Sequence, residues 1–407
     1  PNMTLDRIKN FCPAPFRQIC INSLGEVSAC CMINTEGFGK IDEKLGNSLN
    51  DIYNGEKWQK FYHEHRNEIM PELCEMSCFW KSGERTEYHH QWDVATNAKW
   101  ELKKKEIKKA DIAFSNICNL SCTMCGSIWS SEWLKYESHF NLLPNEYEQG
   151  SSPPNMRPWN FSRSQCTDLA KQLKNADNIS VKGGEPFLNE RFTFFLKELS
   201  KYACPEETHV NVLTNGTIIN KEALKLLNNF WSPAINISIE STNNELYRFI
   251  RGGTYIFDDI KQTIQYVKEN CPNIAIRSNY ITGSLNVTDL LEDMKNLRSA
   301  GIQGLNLMLI HYPIEQGIHV LNKKTINKYL KDFEQDQVGN QDFYSSMIEY
   351  NQVKQIPQEF LNLNNKVYKA EDLLQNFEKY YKLRKFQNIK VPNILDLVPD
   401  YLDRCNI

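Results

Sequence analysis

The chain has 407 residues, 41% of them hydrophobic and 11% aromatic, enough to bury one large core or two. A formal charge of −3 supplies no global basic field for nucleic acid or an acidic lipid surface. No apolar run of about 18 residues and no signal-peptide pattern occurs, so the expectation is a cytoplasmic protein without a membrane span.

Thirteen cysteines, an odd number, in a chain without a secretory signal argue against a disulfide framework and for metal or cluster binding. Along the chain, residues 1–98 read as a separate cysteine-rich module. A local Lys-rich run at 99–110 reads as a solvated helix face or linker. From 99 to 310 short apolar runs alternate with amphipathic stretches. The strand candidates are "DIAFS" (111–115), "NISVK" (178–182), "HVNVLT" (209–214), "INISI" (235–239), "IAIRSNYI" (274–281) and "GLNLMLI" (304–310). Helical spacing is clearest in "NERFTFFLKELSKYA" and in "VTDLLEDMKNLRSAG", where Leu290, Leu291, Met294 and Leu297 share a face and Gly301 is the expected C-cap. Six strands alternating with helices define an α/β fold with a parallel sheet of right-handed βαβ units. The Pro-, Gly- and Ser-rich stretch 141–160 reads as a surface loop or lid. Residues 311–407 read as a mostly helical extension that caps the sheet or simply packs on it. Cys166, Cys204, Cys271 and Cys405 are isolated and read as structural thiols.

The chemistry concentrates in "SNICNLSCTMCGS", where Cys118, Cys122 and Cys125 form C-x3-C-x2-C directly after the first of these strands. A structural zinc normally closes with four ligands. Three thiolates from one loop can instead hold three irons of a [4Fe–4S] cluster and leave the fourth iron for an external ligand.

On these residues the chain resembles the radical SAM superfamily. The resemblance implies a partial (β/α)6 barrel and S-adenosylmethionine (SAM) as cofactor, cleaved by an electron from the cluster to a 5′-deoxyadenosyl radical. It implies further site residues: Met124 near the adenine; Gly183, Gly184 and Glu185 of "SVKGGEPF" at the methionyl amine; and Thr214 and Asn215 at the end of the third strand. Ser238 and Glu240 on the fourth strand are expected near the ribose, with Arg251 at the methionyl carboxylate and Asn279 within reach of the cofactor. Tyr280 and His311 are the candidates for acid/base or radical-quenching work, with packing as their plain alternative.

Residues 1–87 resemble the auxiliary-cluster modules called SPASM or twitch domains, through Cys12 before a proline, the hairpin "INSLGEVSACC", "LNDIYNGEKW" leading into a helix, and Cys74-x3-Cys78. The resemblance implies a second, closed iron–sulfur cluster, of [4Fe–4S] type, on Cys12, Cys30, Cys74 and Cys78. Cys31 and Cys20 are alternative ligands, and zinc an alternative occupant. A barrel with such a module implies hydrogen abstraction from a peptide or protein side chain, with a flavodoxin-like reductant and no nucleic-acid or membrane partner. A small-molecule dehydrogenase, epimerase or dehydratase, and a non-catalytic metal scaffold, are the alternatives.

Overall fold

The computed structural model describes residues 14–31, 38–41, 47–67, 71–74, 106–140, 158–310, 312–329 and 367–407, with the single positions 33, 69 and 331. Of the expected site residues, Cys12, Cys78 and His311 lie outside the described residues, as does 141–157. The chain divides into two compact units: Pro1–Asn116 with Trp159–Asn211 and Asn229–Trp231, and Ile117–Pro158 with Val212–Asn228 and Ser232–Ile407. These units cut the chain elsewhere than at the expected boundaries of 98 and 310.

The first unit holds strands β1 (Gln18–Ile21), β2 (Glu26–Ser28), β3 (Gly39–Lys40), β4 (Lys109–Ala113) and β5 (Asn178–Lys182), and the start of β6 (His209–Thr214). Their order is β3-β2-β1-β4-β5-β6. The hairpin β1–β2 turns at Gly25, whose φ of +82° favours glycine and whose Cβ position is filled by the Trp159 ring. Strand β1 pairs parallel with β4 from Gln18↔Lys109 to Ile21↔Ile112, and β4 pairs parallel with β5. The cysteine-rich module therefore shares the sheet of the first barrel strands.

"LNDIYNGEKW" folds as Leu49–Asn54, opened by a Ser48–Asp51 capping box, followed by Glu56–Arg66. Trp58, fully buried, donates its indole N–H to Pro15 O at 3.1 Å and packs on Phe38 and Tyr53. The helix Glu190–Tyr202 is capped by Asn189 and buries Phe192, Phe195, Leu196 and Leu199, the spacing of one helical face.

The second unit continues β6 and adds β7 (Ala234–Ser238), β8 (Ala275–Thr282) and β9 (Gly304–Leu309), in that order, with β7–β8 and β8–β9 parallel. Register places Asn236 beside Arg277, Ser238 beside Asn279, Asn279 beside Asn306 and Ile281 beside Met308, so these side chains share one face. The other face carries Ile235, Ile237, Ile276, Tyr280, Leu305 and Leu307, all buried. Gly301 ends Leu290–Ala300 in the left-handed region at φ +105°, the expected C-cap.

The C-terminal region is helical as expected, with Ala370–Gln375, Glu378–Phe386, Ile394–Leu397 and Tyr401–Arg404. Phe377, Tyr380, Leu383, Val398 and Tyr401 join Trp133, Leu246 and Phe249 in one buried cluster. Among the described residues, no helix is long and apolar enough to cross a membrane.

Candidate SAM and iron–sulfur sites

The cysteine loop is tied through its backbone to side chains at the start of the Ser131–Phe140 helix. Ser130 Oγ donates to Leu120 O at 2.5 Å, Ser131 Oγ to Cys118 O at 3.0 Å, and Trp133 Nε1 to Cys122 O at 2.8 Å. Thr123 N–H donates to Ile250 O at 2.7 Å, docking the loop on the end of the Asn244–Arg251 helix. The Thr123 hydroxyl reaches Gln316 Oε1 at 2.7 Å.

Cys122 and Cys125 are hydrogen-bonded, and Cys118 lies close enough to act electrostatically on Cys125. The bond from Cys125 and the nearby Arg251 pull the Cys122 thiol down to about 5, against its burial, while Cys125 is pushed up as the proton holder. Among the described residues no three His, Cys, Asp or Glu side chains converge as ligands of a single metal ion. A readily ionised thiol and a sulfur-only donor set fit the group the spacing implies.

Arg251 is committed. Its Nη2 donates to Glu240 Oε1 at 2.5 Å, its Nε faces Glu240 Oε2, and its Nη1 lies 3.4 Å from Cys122 Sγ. Burial pushes the Glu240 carboxyl up to about 7, and Arg251 opposes that shift. Glu240 thus neutralises a buried cation behind Cys122. The structure brings Arg251 to Glu240 and to the cysteine loop.

Asn215 Nδ2 donates to Asn119 Oδ1 at 2.9 Å and stands 3.9 Å from Cys118 Sγ. Thr214 Oγ1 accepts the N–H of Gly216, whose φ is +73°, so Thr214 caps a turn. Asn279 Oδ1 accepts from Asn306 Nδ2 at 2.9 Å, on the polar face with Ser238. Tyr280 lies on the opposite face, fully buried, its hydroxyl donating to Asp293 Oδ2 at 2.6 Å, away from Asn279. Met124 is partly buried against the aromatic cluster.

In the first unit, Gly183 and Gly184 have φ of +83° and +57° at the end of β5. A Cβ on Gly183 would stand 2.7 Å from Ala113 Cβ and 3.0 Å from Ser115 O, so the missing side chain lets β5 close on β4. Glu185, fully buried, accepts Phe187 N–H at 3.0 Å and caps the Pro186–Leu188 turn.

The described auxiliary cysteines form two groups. Buried Cys30 and exposed Cys31 share a hydrogen bond that brings Cys31 down to about 6. Cys20, beneath them on β1, is pushed up to about 12 by burial and Asp111. Cys74 Sγ lies 3.4 Å from Nε2 of buried His65. His65 escaped the sequence reading, although Trp58, Phe61 and His65 fall on one helical face. Arg384 also escaped it. Fully buried, it donates to Ser121 O (3.0 Å), Ser121 Oγ (2.7 Å) and Phe249 O (2.8 Å).

Three thiols on one loop directly after β4 of a parallel α/β sheet define a candidate cluster-binding protein. Residues 112–298 match the Radical SAM superfamily, and residues 12–79 match an iron–sulfur cluster-binding domain, SPASM. The chain thus carries a region that matches the radical SAM domain and, N-terminal to it, one that matches a SPASM iron–sulfur domain; iron–sulfur clusters and SAM are the cofactors these domains imply.

Among relatives, the chain is 24% identical over 250 residues to a "Probable GTP 3',8-cyclase" of Methanococcus aeolicus, covering 58% of this chain and 74% of that protein. It is 28% identical over 127 residues to the "Antilisterial bacteriocin subtilosin biosynthesis protein AlbA" of Bacillus subtilis, covering 31% of this chain and 27% of that protein. A solved structure described as "Native anSMEcpe with bound AdoMet" aligns with TM-score 0.42 at 18% identity, over 56% of this chain and 61% of that one. The chain thus spans about a quarter to three quarters of the length of these proteins.

Proposed function

We propose that this protein cleaves SAM reductively and abstracts hydrogen from a side chain or Cα of a peptide or protein. When bound, the cluster on Cys118, Cys122 and Cys125 and its SAM supply one-electron cleavage and the abstracting radical; a flavodoxin-like protein supplies the electron. The chain's own part is to hold the three thiolates on a loop fixed by Ser130, Ser131 and Trp133, and to keep a buried cation, Arg251, beside Cys122. Asn215 and the Glu240–Arg251 pair order the surroundings of the cofactor.

The observation that carries the peptide reading is the polar strand face of the second unit. Asn236, Ser238, Asn279 and Asn306 are neutral donors and acceptors suited to amide groups, and Arg277 is the one cation on that face among the described residues. A nucleoside triphosphate calls for several cations or a bound metal at its phosphates. The name of the bacteriocin-biosynthesis relative supports the same reading. A small-molecule reading is favoured by the match to three quarters of a probable GTP cyclase.

The test is anaerobic. Reconstituted protein with SAM and dithionite is assayed for 5′-deoxyadenosine, then offered peptide libraries and, separately, GTP. Deoxyadenosine whose yield rises with a peptide, with a mass change in that peptide, supports the proposal. Stimulation by GTP with conversion of GTP overturns the peptide reading, and no deoxyadenosine from loaded protein overturns both.

A further inference from the structure

Among its described residues, the second unit has three fully or nearly fully buried arginines, and they differ in what answers their charge. Arg251 is paired with Glu240, and Arg404 with Asp400 at 2.6 Å. Arg384, on the Glu378–Phe386 helix, forms no ion pair among the described residues. Its donors go to neutral oxygens. Nη1 reaches Ser121 O, Ser121 Oγ and Gln387 Oε1, Nη2 reaches Phe249 O and Ile250 O, and Nε reaches Phe249 O.

Burying a guanidinium without a carboxylate is expensive and persists where its hydrogen bonds are filled and some other negative charge compensates it. Two such sources are present. Phe249 and Ile250 supply the last carbonyls of the Asn244–Arg251 helix, the negative end of its dipole. Ser121, which accepts two of the Arg384 bonds, immediately precedes Cys122, a thiolate when it holds the cluster. The fit is close. A Cβ on Gly252 would stand 2.6 Å from both Arg384 Nη1 and Ser121 Oγ. Residue 384 also lies well beyond the stretch matched to the superfamily, 112–298.

We propose that Arg384 is a positioning residue for the group held by Cys118, Cys122 and Cys125: it locks Ser121, and through it Cys122, onto the end of the Asn244–Arg251 helix, and its uncancelled charge favours the reduced form of that group. The proposal rests on the cluster reading above. The C-terminal extension is then part of the redox machinery and more than a cover for the sheet. Addition of an electron makes a thiolate-bound cluster more negative, and a fixed cation in a water-excluded site stabilises that added charge.

The experiment compares reconstituted wild type, Arg384→Gln, Arg384→Lys and Arg404→Gln, each with the cysteines of the N-terminal module left intact. Iron and sulfide are counted, cluster loss to a chelator is timed, and the reduced cluster is titrated by EPR against a dithionite-poised potential. In R384Q the ratio of reduced to oxidised cluster at a fixed potential is expected to fall about tenfold, equivalent to about 59 mV for one electron. R384K, which keeps the charge without the fork, is expected to restore most of that ratio while losing its cluster to chelator ~10-fold faster than wild type. R404Q is expected to change neither.

If R384Q does not fold, Gln387→Leu removes one acceptor from the guanidinium and is expected to shift the ratio in the same direction by a smaller factor. An R384Q protein with wild-type ratio and wild-type chelator resistance overturns the proposal. Equal shifts in R384Q and R404Q also overturn it, since tail docking alone would then account for them. Wild-type protein that loads no reducible cluster overturns the cluster reading itself, and this proposal with it.

Discussion

The Arg251–Glu240 pair offers the sharpest test of the second unit's energetics. Their side chains are 8% and 1% exposed, so solvent screening gives little relief. Glu240→Gln keeps the shape and removes the charge, leaving Arg251 buried with Cys122 as its remaining anionic neighbour. Breaking a buried pair from one side costs about 3–5 kcal/mol, and the Cys122 thiolate places this case at the lower end, about 3 kcal/mol. Arg251→Met is expected to cost less below pH 7, because Glu240, already pushed up to about 7, loses the cation that holds its proton off and becomes neutral. The double variant Arg251→Met/Glu240→Leu is expected to recover most of the loss, as apolar replacement of a buried pair often does. Urea unfolding of reduced, cluster-free protein at pH 6 and pH 8 compares wild type with the three variants. An E240Q midpoint within about 0.5 kcal/mol of wild type would refute the reasoning, since that is the size of a surface change.

Other outcomes follow from single features. Burial raises Asp293 to about 6, above its unfolded value, although Thr242 and Tyr280 donate to it. The folded state therefore holds this proton more tightly, and stability is lost as pH rises from about 4 to about 6; Asp293→Asn should flatten up to ~3 kcal/mol of that slope in urea titrations across the window. Gly183→Ala forces a Cβ against Ala113 at φ +83° and should destabilise the first unit by about 2–4 kcal/mol, read from its thermal transition. Replacing Cys118, Cys122 and Cys125 together by Ala should remove the iron that this loop would hold and all deoxyadenosine formation, read by iron count and product assay against wild type.

The strands were legible because their apolar residues recur at the two-residue period of a strand. "NISVK" and "HVNVLT" coincide with β5 and β6, and the others agree to within two residues. The cysteine loop was legible because its ligands are local in sequence. What escaped depends on distance along the chain. Arg384 acts on Ser121 from 263 residues away, and nothing in "YYKLRKF" distinguishes it from its basic neighbours. A break in composition near residue 98 says nothing about β1 pairing with β4, which is what ties residues 18–21 into the first unit. Alternation along β8 puts Asn279 and Tyr280 on opposite faces.

The pairing of β1 with β4 bears on how this protein can be dissected. Excising the cysteine-rich module, an obvious step for isolating the SAM chemistry, would strip β4 of its partner from Lys109 to Ile112 and bare a row of backbone amides on a strand built from Ala110, Ile112 and Ala113. An apolar edge of that kind is a template for strand addition by another chain. Insolubility of such a truncated barrel would therefore report an orphaned sheet margin and carry no information about what the N-terminal cysteines bind. Cysteine substitution within the intact chain keeps the margin covered and separates the two questions.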